Sequence, residues 1–113
     1  MIALKAALPF LLLDLESALV HIGRGDVADQ LREAMIERWT YDENADTAYL
    51  HLRAPGRPGE SPGETVSVYD ELGINLDSDS QGRVTGMEIL GGKAVIAQLE
   101  EGNGSPPARG QRL

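Results

Sequence analysis

Between Leu72 and Leu90 the chain reads LGINLDSDSQGRVTGMEIL, and this stretch narrows the folds open to it more than any other. Ile74 and Leu76 alternate with Asn75 and Asp77, the period of two that marks a half-buried strand. Asp79-Ser80-Gln81-Gly82 is a cluster of turn residues, and Gly82 tolerates a positive φ. β-formers resume from Val84 to Leu90, so the stretch is predicted to be a β-hairpin. The expected register sets Ser78 against Arg83, Leu76 against Thr85, Ile74 against Met87 and Leu72 against Ile89. All the large apolar pairs then share one face, and Asn75, Asp77 and Glu88 share the other. A slip of one residue would turn Glu88 inward and is disfavoured. Val84 and Leu90 are left on the outer face.

The same residues come close to a calcium-binding loop. Asp77, Asp79, Gln81 and Glu88 take loop positions that carry ligands, with Gly82 at the sharp turn. Three features count against it. Gln81 replaces an acid or Asn, Arg83 adds a positive charge inside the loop, and the flanks are strand-like where the motif needs helices. The preferred reading is a polar turn with solvated carboxylates.

Residues 1–37 follow a different period. Leu8, Leu11, Leu12, Leu15, Leu19 and Ile22 recur at spacings of three and four, one apolar stripe on a helix. Pro9 suits a first turn, and His21 in the last turn suits the negative end of the helix dipole. Gly23-Arg24-Gly25 breaks this helix, and Asp26 is the expected N-cap of a second. There Val27, Leu31, Ala34 and Met35 form the stripe. The prediction is a helical hairpin over residues 1–37, with its two stripes facing each other or a sheet.

From Arg38 onward strand periods dominate. Trp39 and Tyr41 share one side of a short strand, and Asp42 to Asp46 form a turn. Thr47 to Arg53 alternate, with Ala48, Leu50 and Leu52 inward and Tyr49, His51 and Arg53 outward. Ala54 to Gly63 holds Pro and Gly throughout and is predicted to be a mobile loop. Thr65 to Tyr69 form another strand, with Val66 and Val68 inward, and Asp70-Glu71 turn the chain into the hairpin. Gly91-Gly92 end the sheet. Val95, Ile96 and Leu99 at helical spacing predict a short helix over 93–100, and residues 101–113 read as a disordered tail. The expected fold is α+β: a helical hairpin, then residues 38–100 as an antiparallel meander of about five short strands with one face covered.

Bulk properties exclude several functions. At 113 residues the chain has room for one modest core. A net charge of −8 argues against a general nucleic-acid binder and favours a basic protein partner. There is no cysteine, so disulfides, thiolate catalysis and Cys-ligated zinc are all excluded. The apolar run Ala6 to Leu13 is too short to span a membrane and lacks a clear cleavage site. A cytoplasmic protein is expected, with no membrane and no nucleic acid among its partners. The apolar surface of the helical hairpin suggests a homodimer through the N-terminal helices.

Tyr41-Asp42-x-x-Ala45-Asp46-x-x-Tyr49, then Asn75-Leu76-Asp77, then Gly82-Arg83-Val84-x-Gly86-Met87-Glu88-Ile89-Leu90 resemble the YuzE-like family, domain of unknown function 2283. The resemblance covers about residues 38–90. It implies a compact β-rich domain, and it supplies no catalytic residues to transfer. Some members lie beside genes for small ribonuclease-like toxins, which implies an antitoxin-like binding role. The helical residues 1–37 are an extension relative to the family, and Ala48 stands where a larger apolar residue is common.

No nucleophile elbow, phosphate loop, dinucleotide fingerprint or helical pair of metal-binding histidines occurs. The polar residues left for chemistry are those of the outer sheet face: Tyr49, His51, Asn75, Asp77 and Glu88. An imidazole and two carboxylates close together could do acid–base work or hold a metal. A sheet with one solvated face shows polar residues at alternate positions in any case. The expectation is therefore a non-enzymatic protein-binding or regulatory module without a cofactor, with a small acid–base or metal-dependent enzyme as the alternative.

Overall fold

The computed structural model describes residues 1–68 and 73–103, with side chains as far as residue 101. The fold is α+β. Helices α1 (Leu4–Ala7), α2 (Pro9–His21) and α3 (Gly25–Arg32) precede most of the sheet, and α4 (Lys93–Asn103) follows it. The strands are β1 (Ile2–Ala3), β2 (Met35–Asp42), β3 (Thr47–Arg53), β4 (Pro62–Val68), β5 (Ile74–Asp79) and β6 (Val84–Leu90). Among the described residues these six form one antiparallel sheet in the order β1-β2-β3-β6-β5-β4.

That order corrects the expected meander. Strand β6 lies between β3 and β5, and β4 is carried to the edge. The residues explain the exchange. Val84, Gly86, Met87 and Ile89 of β6 are buried, as suits a central strand. Strand β4 begins Pro62-Gly63-Glu64, which cannot serve an inner ladder and suits a margin.

Two rows of apolar side chains cross the sheet on its inner face. Trp39, Leu50, Met87, Leu76 and Val66 are register neighbours in turn. So are Tyr41, Ala48, Ile89, Ile74 and Val68. Leu12, Leu15 and Leu19 of α2, Val27 and Leu31 of α3, and Ile96 and Leu99 of α4 join them in one core. Each fully buried Leu contributes roughly 1.5–3 kcal/mol, so the helices are part of the domain's stability.

The N-terminal helices differ from expectation at three points. Pro9 disfavours helical geometry at the residue before it, and Leu8 (φ −134°, ψ 61°) breaks the run into α1 and α2. Asp26 is not the N-cap; Arg24 holds that place, and Asp26 lies in the first turn bonded to the Arg24 guanidinium. The second helix does not reach residue 37. It ends at Arg32, and Met35 and Ile36 enter β2 opposite Arg53 and Leu52. Ile36 is β-branched and buried there at the expense of the helical period. Ile2 and Ala3 pair with the same two residues and form an additional strand.

The hairpin of β5 and β6 keeps its expected faces but not its expected partners. Ile74 pairs with Ile89, Asn75 with Glu88, Leu76 with Met87 and Asp77 with Gly86. This is a shift of two residues, which preserves side-chain parity. Below Gly86 the register changes by one: Ser78 pairs with Val84, and Thr85 is the extra residue of a β-bulge. The bulge turns Val84 to the side of Ser78 and Leu76. Val84, expected outside, is fully buried, whereas Leu90 is 48% exposed.

The Pro- and Gly-rich loop after β3 is tied to this hairpin. Gly59 N donates to Asp79 Oδ2 (2.7 Å), Ser80 N to the Ser61 carbonyl (2.8 Å) and Arg83 Nε to the Ala54 carbonyl (2.9 Å). At the other end, α4 extends through Asn103, past the expected boundary at 100. The expected strand end and turn at Tyr69, Asp70 and Glu71, the hairpin start at Leu72 and the tail from residue 104 lie outside the described residues.

Candidate functional site

The outer face of the sheet carries two polar rows. Arg38, His51, Gly86, Asp77 and Thr65 are register neighbours, and Thr40, Tyr49, Glu88, Asn75 and Ser67 form the next row. All five residues expected at a site, Tyr49, His51, Asn75, Asp77 and Glu88, lie on this face and are partly buried.

Four of the five are joined in pairs, with Thr65 and Ser67 of β4 bonded to them. Tyr49 Oη donates to Asp77 Oδ2 (2.7 Å), and Thr65 Oγ1 donates to Asp77 Oδ1 (2.8 Å). Asn75 Nδ2 donates to Glu88 Oε1 (2.8 Å), and Ser67 Oγ donates to Asn75 Oδ1 (2.8 Å). Tyr49 must cross strand β6 to reach Asp77, and Gly86 makes the crossing feasible. A Cβ at Gly86 would overlap the Tyr49 hydroxyl and ring.

His51 stands apart from Asp77. Its ring meets Tyr49 edge to face, with centroids 4.8 Å apart and planes at 62°. Asp77 lies two strands away in the same row, on the order of 10 Å at the backbone, so imidazole and carboxylate do not form a couple. Burial, then the Arg38 charge, lowers the His51 pKa from its ordinary value. Burial first, then the bond to Asp77, raises the Tyr49 pKa. A tyrosine held in its neutral form is a hydrogen-bond donor here and a poor base.

The calcium-loop candidates are dispersed. Asp77 is engaged by Tyr49 and Thr65, and Glu88 lies further along β6 beside Asn75. Asp79 turns toward the loop and accepts from the N–H groups of Gly59, Gln81 (2.8 Å) and Arg83 (3.0 Å). These bonds, that of Gly59 foremost, hold its carboxyl below the usual range. Gln81 is an exposed turn residue. Among the described residues no three His, Cys, Asp or Glu side chains are grouped to hold an ion. An open cleft of about 490 Å³ lies over this region, between Tyr49, Thr65 and Asp77 on the sheet and Gly59 to Ser61 of the loop with the start of β4.

Two acids read from the sequence as turn residues, Asp79 (also a calcium-loop candidate) and Asp46, organise the fold in ways the sequence reading did not foresee. Asp79 joins the loop to the hairpin turn, as described. Asp46 joins the β2–β3 turn to α4: its carbonyl accepts from Gly91 N (2.8 Å) and Gly92 N (3.0 Å), and its Oδ1 from Lys93 N (3.2 Å) and Tyr41 Oη (2.5 Å). The bond to Asp46 raises the Tyr41 pKa to about 12. Asp46 is also the described non-glycine residue with positive φ (47°), a conformation Asp tolerates better than most residues. An Asp closing a turn was the available signal.

No described helix is long and apolar enough to cross a membrane. No curated protein and no solved structure matches the chain. Residues 38–92, which hold the outer-face network and Asp46, match the family described as a protein of unknown function, DUF2283. The segment from Arg38 in β2 to Gly92 before α4 is assigned to the DUF2283 family.

Proposed function

We propose that this protein is a non-enzymatic protein-binding module whose sheet is a scaffold. The observation that carries the reading is the closure of the outer-face network. Both Asp77 oxygens accept hydrogen bonds from within the chain, Asn75 binds Glu88, and His51 is too distant to act with Asp77. A general base must reach a substrate proton in the right place, whereas the hydrogen bonds that Asp77 and Glu88 accept here hold strands together. The net charge of −8 supports a partner of basic character, drawn in by long-range attraction. An antitoxin-like role, covering a basic protein, is the finer form of this reading.

Calorimetric titration of the full chain with calcium and with zinc, repeated on Asp77→Asn, tests it. The expected result is no saturable metal binding in either protein and a lower melting temperature for the variant. Saturable binding that disappears in Asp77→Asn would overturn the reading in favour of a metal-dependent enzyme.

A further inference from the structure

Helix α2 is apolar on two opposite sides. Leu12, Leu15 and Leu19 are sealed in the core, while Phe10, Leu13 and Val20 are 77%, 61% and 60% exposed. With 3.6 residues per turn, Phe10, Leu13, Ser17 and Val20 fall within an arc of about 80° on the side away from the core. Their spacing of three, four and three is that of a seam between two packed helices. A second apolar side on a helix calls for a second partner, and α2 has core on one side only.

We infer that this stripe is the contact with a second copy of the chain, two α2 helices packing antiparallel about a two-fold axis at the level of Leu15. The inference rests on the reading of the chain as a binding module. Its ground is the self-complementarity of the stripe, which an isologous contact requires. A two-fold at Leu15 sets Phe10 against the partner subunit's Val20 and Leu13 against the partner subunit's Ser17. Each pair matches a larger side chain with a smaller one, so the seam closes evenly. A parallel pair would instead oppose Phe10 to itself and Ser17 to itself, leaving a bulge and a gap.

Charge permits this occupant. The stripe itself holds no ionic side chain on a chain of net charge −8; exposed Asp14 borders it, and the same two-fold brings Asp14 level with the partner subunit's Glu16. Glu16, beside the stripe, is already paired with Arg32 (2.6 Å). A cleft of about 380 Å³ with Pro9, Leu12 and Leu13 on its floor and Lys5, Arg32, Glu16 and Glu33 around it adjoins the stripe and extends the contact. The exposed apolar area is on the order of 400 Å² per copy, the size of patches that serve a function. Doubled and extended by the cleft, it reaches the low end of specific interfaces, which fits a dimer that dissociates in the micromolar range.

Sedimentation equilibrium of the full chain from about 1 to 200 μM, bracketing that range, tests the inference on wild type, Leu13→Asp, Phe10→Val and the swap Phe10→Val with Val20→Phe. Melting curves confirm folding, since each altered side chain is exposed. Wild type is expected to rise from 12.2 kDa toward twice that mass. Leu13→Asp is expected to stay monomeric, Phe10→Val to associate more weakly, and the swap to recover. A wild-type monomer throughout would overturn the inference, and so would a dimer indifferent to Leu13→Asp. Either result leaves the module reading to its own test, metal binding that depends on Asp77.

Discussion

The Tyr49 hydroxyl donates to the Asp77 carboxylate at 2.7 Å across the full width of an intervening strand. Tyr49 stands on β3 and Asp77 on β5, and β6 passes between them with Gly86 beneath the phenol ring. Thr65 on β4 binds the other oxygen of Asp77. One carboxylate thus joins β3, β4 and β5 over a glycine of β6, a tie available only because β6 is central.

Gly86→Ala is expected to destabilise the protein by more than Tyr49→Phe does. The added Cβ displaces the ring, whereas Tyr49→Phe loses one charge-assisted hydrogen bond, roughly 1.5–3 kcal/mol when well shielded and less here because the pair is only partly buried. In a Tyr49→Ser background the cost of Gly86→Ala should shrink sharply, because the two residues share one contact. Urea unfolding of wild type, Gly86→Ala, Tyr49→Phe, Tyr49→Ser and the Tyr49→Ser/Gly86→Ala double variant checks this.

The bulge at Thr85 predicts opposite outcomes for two similar residues. Val84 is fully buried and Leu90 is 48% exposed. Val84→Ala should therefore cost about 2 kcal/mol, from two lost methyls and a residual cavity. Leu90→Ala, although it removes more atoms, should cost well under that, about 1 kcal/mol or less. Equal costs would mean that Val84 faces outward.

Acid should weaken the fold in two stages. Burial and Arg38 hold the His51 pKa below its ordinary value, so the folded state favours the neutral ring. That contribution is present above the unfolded value, about 6.5, and is lost as pH falls. Asp79 is held below its ordinary range by backbone N–H groups, so its contribution is complete above about 4 and is lost below. Melting temperature against pH should fall gently below about 6.5 and steeply below about 4, and Asp79→Asn should flatten the steep part. In alkali the sign reverses. The pKa values of Tyr41, about 12, and Tyr49 are raised, so their contribution is lost as pH climbs beyond the ordinary tyrosine value of about 10.

Trp39, the one tryptophan, is 7% exposed, and its Nε1 has no partner among the described residues. Its emission should be blue-shifted in the native protein and move red on unfolding. Trp39→Phe removes an unsatisfied N–H along with some volume and should cost far less than Trp39→Ala, for which about 3–5 kcal/mol is expected. Denaturation followed by circular dichroism compares the two.

Side-chain alternation made the faces of the sheet legible. Ile74, Leu76, Met87 and Ile89 are inside, and Asn75, Asp77 and Glu88 look outward, because a parity rule survives a two-residue error in register. Strand order was not legible in the same way. Alternation is local, and it does not say that β6 pairs with β3 ahead of β4; Pro62 and Gly63 were the clue to an edge. For the bulge at Thr85 the available signal was Gly86, since a glycine inside a strand marks a bulge or a close approach. Helix α3 was overextended because Ala34 and Met35 continue a helical period while Ile36 is needed by the sheet. The polar set was found, but its members were weighed as chemistry. That Tyr49 and Asp77 meet over Gly86 depends on strand order, which only the assembled sheet supplies.

The outer-face polar residues hold the sheet together. The most direct test is a double-mutant cycle in urea on Tyr49→Phe and Asp77→Asn. A coupling energy on the order of 1 kcal/mol or more is predicted, with each single variant less stable than wild type. Additive effects near zero in both variants would contradict the account.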